Sequence, residues 1–196
     1  MIKYPVAVIL FLITSLQCLY VKAGVVPFAS VADSLVRPLR STNPYPAISG
    51  RVGRLFYLQR NPNTNTVVYE LNTDKAGQLD ADNPVHAYWI RYADKGQKEE
   101  LNYIQRKFAY GLVTKQLGNG KYDVRFVSYK KFPLNLMKAE DGKYHIFATI
   151  SQKQIILSRI FIKIEGGSFW LPNVMYVELS GTDPATGKEV LERFKP

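Results

Sequence analysis

The stretch KYDVRFVSYKKFPLNLMKAEDGKYHIFATISQKQIILSRIFIKI, residues 121–164, has the clearest strand pattern of the chain. Apolar and charged residues alternate over residues 121–126, and an isoleucine stands at every second position over residues 160–164. Successive side chains of a β-strand point to opposite faces of the sheet, so this period of two buries one face and leaves the other mostly wet. Within the stretch, Glu140-Asp141-Gly142 supplies the glycine that a tight hairpin turn needs. The pattern is typical of antiparallel strands joined by short turns.

Outward from this stretch, further extended runs alternate with turn signals such as Gly118-Asn119-Gly120 and the polar loop over residues 61–65. The predicted strands are Leu55–Leu58, Thr66–Leu71, Val85–Tyr92, Ala109–Leu117, Lys121–Tyr129, Phe132–Lys138, Tyr144–Ile150, Gln154–Ile164, Asn173–Leu179 and Val190–Phe194. Successive strands with short turns form a meander. We therefore predict a mainly β fold, an antiparallel meander closed as a barrel or packed as a sandwich.

One amphipathic helix is predicted over residues 97–108. Leu101, Ile104 and Phe108 fall at positions i, i+3 and i+7, which is one face of a 3.6-residue period. Acidic residues 99–100 lie in its first turn and basic residues 106–107 in its last, as the helix dipole favours. This helix would cover an open face of the sheet or plug one end.

The N-terminus has the pattern of a cleavable signal peptide over residues 1–23. A basic start precedes an apolar run that is shorter than the roughly 20 residues a membrane-spanning helix needs, and Val21-Lys22-Ala23 resembles a cleavage site. The alternative is lipid attachment at Cys18, although the preceding Leu16 and Gln17 fit such a site poorly. We therefore predict a periplasmic or secreted protein.

Residues 24–52 form a predicted tether, and residues 53–196 a single β-rich globular domain. Prolines and a glycine interrupt regular structure repeatedly in the tether, at Pro27, Pro38, Pro44, Pro46 and Gly50. Because Cys18 is the only cysteine, cleavage after Ala23 leaves no thiol. Disulfides, thiolate catalysis and cysteine-bound metals are then excluded.

The charge balance favours anionic partners. The chain has 26 Lys and Arg against 16 Asp and Glu, a net charge of +10. Outside the cytoplasm such a balance attracts an anionic glycan, a lipid head group or an acidic protein rather than nucleic acid. The competing interpretation is that the basic residues only solubilise a β-rich surface and protect its edges.

Two polar and aromatic segments supply the candidate binding residues. Aromatic rings and guanidinium groups can stack on sugars and hold an anion, but such residues also fill β cores and solvated surfaces. The predicted contacts are Arg60, Tyr88, Arg91, Arg106 and Lys107.

A catalytic alternative rests on Asp80, Asp82 and His86. Two carboxylates and an imidazole close together could transfer protons or hold a divalent metal. The same residues also fit an ordinary turn that leads into a strand, because Asn83-Pro84 follows them. We predict no metal and no cofactor, and the remaining histidine, His145, lies far away in sequence.

Three strings resemble a known bacterial family. They are FYLQRNPNTNTV over residues 56–67, PVHAYWIRY over residues 84–92 and YIQRKFAYG over residues 103–111. They are similar to the family called domain of unknown function 4833, and the resemblance runs from about Arg54 to the C-terminus. It implies an exported protein of bacterial envelopes and transfers no catalytic residue.

Three functions remain open on the sequence. The first is non-catalytic binding of an anionic, glycan or lipid component of the envelope. The second is a hydrolase that depends on carboxylates or a metal. The third is a structural or protein-interaction module, which an exposed apolar patch without a concave pocket would favour.

Overall fold

A single sheet of eleven strands, curled as a half-barrel, makes up most of the described chain. The structure is a computed structural model that describes Tyr45, Ile48, Gly50 and residues 52–168 and 171–196. These residues all belong to one compact unit, Pro38–Pro196. The predicted signal peptide, Cys18 and most of the predicted tether lie outside the described residues.

The strands follow the predicted order closely, and the mainly β fold is confirmed. Their bounds are β1 Arg54–Arg60, β2 Thr66–Leu71, β3 Val85–Arg91, β4 Gln97–Glu100, β5 Leu112–Gly118, β6 Lys121–Phe126, β7 Leu134–Lys138, β8 Tyr144–Ile150, β9 Lys153–Gly167, β10 Pro172–Thr182 and β11 Glu189–Phe194. The predicted turn glycines adopt positive φ where the hairpins reverse, for example 69° at Gly120 and 74° at Gly142.

The strand β9 joins two meanders into one sheet. The order is β4-β3-β2-β1-β9-β8-β7-β6-β5, and β10 pairs with both β9 and β11. All pairs are antiparallel except β1 with β9, where Tyr57 lies opposite Arg159 and Arg60 opposite Ile162 in a parallel register. The sequence pattern did not predict this parallel pair, because its two strands lie about a hundred residues apart and share no turn signal.

The core lies on the inner face of the curl. Phe56 and Tyr69 stack with ring centroids 4.4 Å apart, and Phe126 meets both rings edge-on. The Tyr69 hydroxyl donates to the backbone carbonyl of Tyr110 at 2.8 Å. This cluster ties the β1–β2 hairpin to β6, which belongs to the other meander.

The predicted helix over residues 97–108 is wrong in its first half. Gln97–Glu100 is strand β4, which pairs with β3, and the only α-helix among the described residues, α1, spans Tyr103–Phe108. Lys95 and Gly96, both at positive φ, turn β4 back onto the unpaired edge of β3, which offers backbone partners to these residues. Helix α1 begins after Asn102, whose side chain accepts from the Gln105 N–H while the Gln105 side chain accepts from the Asn102 N–H. This capping box, rather than the acidic residues before it, determines where the helix starts.

A buried ion network lies on the outer face, opposite the core. Glu178 on β10 accepts from Arg159 on β9 at 3.3 Å and from Arg193 on β11 at 2.7 Å. Arg159 also donates to the Gln59 side chain at 3.1 Å. Part of the predicted tether covers this face, since the Tyr45 ring lies 5.7 Å from that of Phe161. Separately, no helix within the described ranges is long and apolar enough to cross a membrane.

Candidate functional site

A cavity of about 560 Å³ lies inside the curl of the sheet. Strands from both meanders, helix α1 and the β6–β7 loop contribute to its wall, which is mostly apolar. Its larger apolar side chains include Leu58, Trp89, Ile104, Phe108, Phe126, Phe132, Ile160, Ile162, Ile164, Val174, Val177, Leu179 and Phe194. The cavity is therefore a recess in the core, with large apolar residues on every side.

The period of two explains which residues face this cavity. The cavity is lined by alternate residues of β9, namely Ile160, Ile162 and Ile164. Arg159, which directly precedes Ile160, joins the ion network on the outer face. The same rule places Leu58 and Arg60 of β1 in the wall. The isoleucine alternation seen in the sequence thus becomes one side of the cavity.

Arg60 is a cation set into this apolar wall. Its guanidinium carbon lies 5.6 Å from the centre of the Tyr110 ring. Its Nε is buried and has no hydrogen-bond partner among the described residues. A buried donor left without an acceptor costs about 1–3 kcal/mol. The site therefore holds a positive group with unused hydrogen-bonding capacity.

Arg91 also reaches the cavity, but its charge is already paired. Its guanidinium lies 3.2 Å from a carboxylate oxygen of Asp94 and 3.6 Å from one of Glu99. Among the described lining residues, Arg60 and Arg91 are the only charged side chains. Of these two cations, Arg60 is the one that forms no ion pair with a carboxylate side chain among the described residues.

Tyr110 adds no negative charge to balance Arg60. Burial raises the pKa of its hydroxyl above the ordinary value of 10.0, and Arg60 opposes that rise only in part. The phenol therefore stays neutral at neutral pH, where its ring contributes only a weak cation–π contact. Within the described residues, that cation–π contact is the one interaction found to offset the charge of Arg60.

Gln105 links the helix to the cavity wall. Its side-chain oxygen accepts from the Trp89 indole N–H at 3.2 Å as well as from the Asn102 backbone at 3.0 Å. The Trp89 ring meets Tyr110 edge-on at 4.9 Å. The capping box that starts α1 therefore also orients the indole beneath it.

Of the five predicted contacts, the structure brings Arg60 and Arg91 together at the cavity. Tyr88 lies on the opposite face of β3 from Trp89 and donates to Glu70 at 3.0 Å. On helix α1, exposed Arg106 donates to the Leu101 carbonyl and Lys107 donates to the Tyr103 hydroxyl. Strand parity could have separated Tyr88 from Arg91, because residues three apart point to opposite faces.

The cavity residues that sequence reasoning missed include Tyr110 and Phe108. Both were assigned to the ordinary apolar positions of a strand or a helix. No local signal identifies them, because their roles depend on where α1 lies relative to β1 and β9.

Tyr88 belongs to a separate polar cluster on the outer face of β2, β3 and β4. The Glu70 carboxylate accepts a hydrogen bond from the Tyr88 hydroxyl. One of its oxygens lies 3.4 Å from both His86 Nδ1 and Lys98 Nζ. His86 Nε2 lies 2.9 Å from Glu100. Burial opposes the charged form of Glu70, but its partners Tyr88, Lys98 and His86 outweigh that effect, so the pKa of Glu70 lies below its ordinary value of 4.5.

This lowered pKa predicts a pH-dependent contribution to stability from Glu70. A depressed carboxyl pKa stabilises the fold above the ordinary value, and the contribution is lost as the pH falls through the folded-state pKa. We expect Glu70→Gln to reduce the free energy of unfolding by up to about 1 kcal/mol at pH 6, because the pairs are partly exposed. Urea denaturation from pH 7 to pH 3 should show the difference shrinking below pH 4.5 and vanishing once the pH has fallen through the lower folded-state pKa. Glu189→Gln, at an exposed site, is the control, and an equal difference at pH 3 and pH 6 would contradict this account.

The candidate catalytic residues hold different partners. Asp80 accepts from the backbone N–H groups of Asp82 and Asn83 at 3.0 Å each and from the Asn72 side chain at 3.2 Å. His86 is engaged with Glu70 and Glu100 instead. Within the described ranges, no three His, Cys, Asp or Glu side chains are grouped so that they could hold a metal ion. The contacts of Asp80 are those of a turn that leads into β3.

A family model matches nearly all of the described sheet. The model, described as Domain of unknown function (DUF4833), covers residues 56–193, from β1 into β11. No curated protein and no solved structure shows significant similarity to the chain.

Proposed function

Since the chain belongs to the DUF4833 family, whose description names no activity, we propose its function from the cavity: it binds an amphipathic anion without transforming it. The ligand class is an acyl chain that carries a carboxylate or phosphate group. The observation that carries the proposal is the buried Nε of Arg60, which has no hydrogen-bond partner among the described residues and stands in a mostly apolar wall.

The size and lining of the cavity support an acyl chain. A volume of about 560 Å³ lies within the 300–1,000 Å³ that small-molecule sites usually occupy. The walls offer isoleucine, valine and aromatic surface, with few polar groups. A sugar would leave most of its hydroxyl groups unpaired against such walls, so a lipid-like ligand fits better than a glycan.

The charge of Arg60 supports an anionic head group. A guanidinium presents a planar fork of donors that matches a carboxylate or phosphate. Such a ligand would pair the buried Nε and relieve its desolvation cost on binding. The predicted export signal is consistent with a lipid-like ligand of the cell envelope.

The concave cavity also favours ligand binding over a purely structural module. We offer no catalytic function, because Asp80 is engaged in a turn and His86 is engaged with other partners.

The test is calorimetric titration of the full chain with saturated fatty acids of 10 to 14 carbons, with 1-tetradecanol as the uncharged comparison. We expect affinity to rise about fourfold for each added methylene while the chain still fits, because each buried CH₂ contributes about 0.8 kcal/mol. The alcohol should bind more weakly than tetradecanoate. Equal binding of the acid and the alcohol would remove the role assigned to Arg60.

We expect Arg60→Met to weaken tetradecanoate binding about 10- to 100-fold, because a hydrogen bond to a charged group is worth about 1.5–3 kcal/mol. The same change should leave thermal stability unchanged or raise it, since a buried unpaired donor is removed. Arg125→Met is the matched control: Arg125 lies on the other face of β6 from Phe126 and pairs with Asp123 at 2.8 Å. Unchanged affinity in Arg60→Met, or equal loss in both variants, would refute the proposal.

A further inference from the structure

The mouth of the cavity is surrounded by exposed apolar side chains. Ile104 and Phe108 of α1 line the cavity and are nevertheless 48% and 56% exposed. Tyr129 of the β6–β7 loop does the same at 37%. Leu171 is 80% exposed and directly precedes Pro172, which also lines the cavity. We call α1 and residues 128–132 and 171–175 together the rim.

Hydrogen bonds hold two of the rim segments side by side. The Ser128 hydroxyl donates to the Ala109 carbonyl at the end of α1 at 2.7 Å. Next to it, the Val127 N–H donates to the Gly111 carbonyl at 3.0 Å. The exposed apolar residues of these segments are therefore presented together at one opening.

The charges of the rim have a single sign. By sequence its three segments contain Arg106, Lys107, Lys130 and Lys131 and no aspartate or glutamate. Lys107 donates to the Tyr103 hydroxyl at 2.8 Å and lies 5.5 Å from the Phe108 ring centre. Lysine stems can lie along apolar surface while their charged ends reach a polar layer.

We propose that the rim docks on an anionic lipid surface, so that a ligand passes between the bilayer and the cavity. This inference rests on the proposed function and adds the partner. Lysine is depleted at the centre of protein–protein interfaces, whereas surfaces that lie in a membrane interface combine aromatic and aliphatic residues with lysine and arginine. The rim has the second composition.

Because the rim adjoins the cavity, docking on the bilayer would let a ligand move between the two without crossing water. For an acyl chain that left the bilayer through water, each exposed methylene would lower the equilibrium constant for leaving about fourfold. Ile104 and Phe108 line the same cavity as the isoleucines of β9, so an acyl chain that entered past them would meet a mostly apolar wall. The basic residues would meanwhile contact the lipid head groups.

The test is sedimentation of the full chain with vesicles of phosphatidylcholine alone or with 30% phosphatidylglycerol. We expect stronger binding to the anionic vesicles. Ile104→Ser/Phe108→Ser should lower that binding about tenfold or more, since both side chains would leave the apolar layer. Lys130→Glu/Lys131→Glu should lower it by at least about fivefold per residue.

Matched controls separate the rim from the rest of the surface. Leu117→Ser removes a side chain of the same 56% exposure as Phe108, and Lys143→Glu/Lys188→Glu reverses two charges on turns that do not line the cavity. Every variant keeps the same N-terminal segment, so differences between them report the rim. Circular dichroism should show the same fold for all variants.

Each result decides the proposal. Loss in the rim variants with binding kept in the controls supports it. Equal loss in the controls, no preference for anionic vesicles, or self-association that depends on Ile104 and Phe108 without vesicle binding would overturn it. Calorimetric binding of free tetradecanoate that persists in those cases leaves the cavity function standing, whereas its absence would remove both.

Discussion

Replacing Glu178 by alanine is expected to lower the free energy of unfolding by about 3–5 kcal/mol, because it leaves two buried or half-buried cations without their carboxylate. The Glu178 side chain is only 2% exposed, and those of Arg159 and Arg193 are 8% and 32% exposed. Burial lowers the pKa of the Arg159 guanidinium although Glu178 favours its charged form. The desolvation of Arg159 is therefore costly, and Glu178 is its main compensation.

Urea denaturation followed by circular dichroism measures this loss. Glu165→Ala is the control, since Glu165 pairs with Lys163 at 3.0 Å on the surface and its side chain is 56% exposed. Such an exposed pair contributes about 1 kcal/mol at most. A Glu178→Ala variant that unfolds within 1 kcal/mol of the unmodified chain would disprove the importance of the network.

A double replacement separates the lost partner from the lost contact area. Arg159→Met/Glu178→Leu removes the two most buried charges of the network, leaves the half-buried Arg193, and keeps apolar volume on the outer face. We expect it to be more stable than Glu178→Ala, because an apolar pair costs no desolvation. Leu179, the neighbour of Glu178, lines the cavity from the opposite face, so ligand binding should survive in this variant.

Phe56→Ala is expected to reduce the free energy of unfolding by a similar amount, about 3–5 kcal/mol, because it opens a cavity in a close-packed core. Phe56 is 1% exposed and stacks on Tyr69 with an interplanar angle of 6°. It also meets Phe126, 6.1 Å away, edge-on. Its loss would weaken the contact between the two meanders as well as the hairpin that contains it.

The matched control for Phe56→Ala is Phe108→Ala, which removes the same side chain from a site that is 56% exposed. That change should alter stability by no more than about 0.5 kcal/mol. Phe56→Leu should lie between the two, since it retains most of the apolar volume. Thermal and urea unfolding of the three variants should rank them in this order, and equal losses at positions 56 and 108 would contradict the assignment of the core.

Part of the candidate site could be predicted from the sequence. Arg60 and Arg91 were both named as contacts, because each cation stands beside aromatic or turn-forming residues in a strand pattern. Tyr88 was assigned to the same group, but it faces Glu70 on the outer side of the sheet. The residue types were enough to indicate which strands contribute to the site. To know which face of the sheet each side chain occupies, the pairing register of the strands is needed as well.

The helix shows where local reasoning fails. Leu101, Ile104 and Phe108 have helical spacing, but Leu101 is buried as β4 ends, and the other two lie at the exposed rim. Residues 97–100 pair with the edge of β3 that would otherwise be unpaired, and they form strand β4 there. A free sheet edge is a tertiary feature, and no window of sequence contains it.

The strands and their reversals could be predicted from the sequence alone, because alternation and turn glycines act through neighbouring residues. Tertiary contacts set the parallel pairing of β1 with β9 and the curl of the sheet. They also place Arg60 in the cavity wall, with its Nε buried and without a hydrogen-bonding partner within the described residues. Those features arise from contacts between segments a hundred residues apart. The energies of those contacts depend on which faces of the strands meet. A period of two shows which side chains share a face of a strand, but not which strand lies beside it.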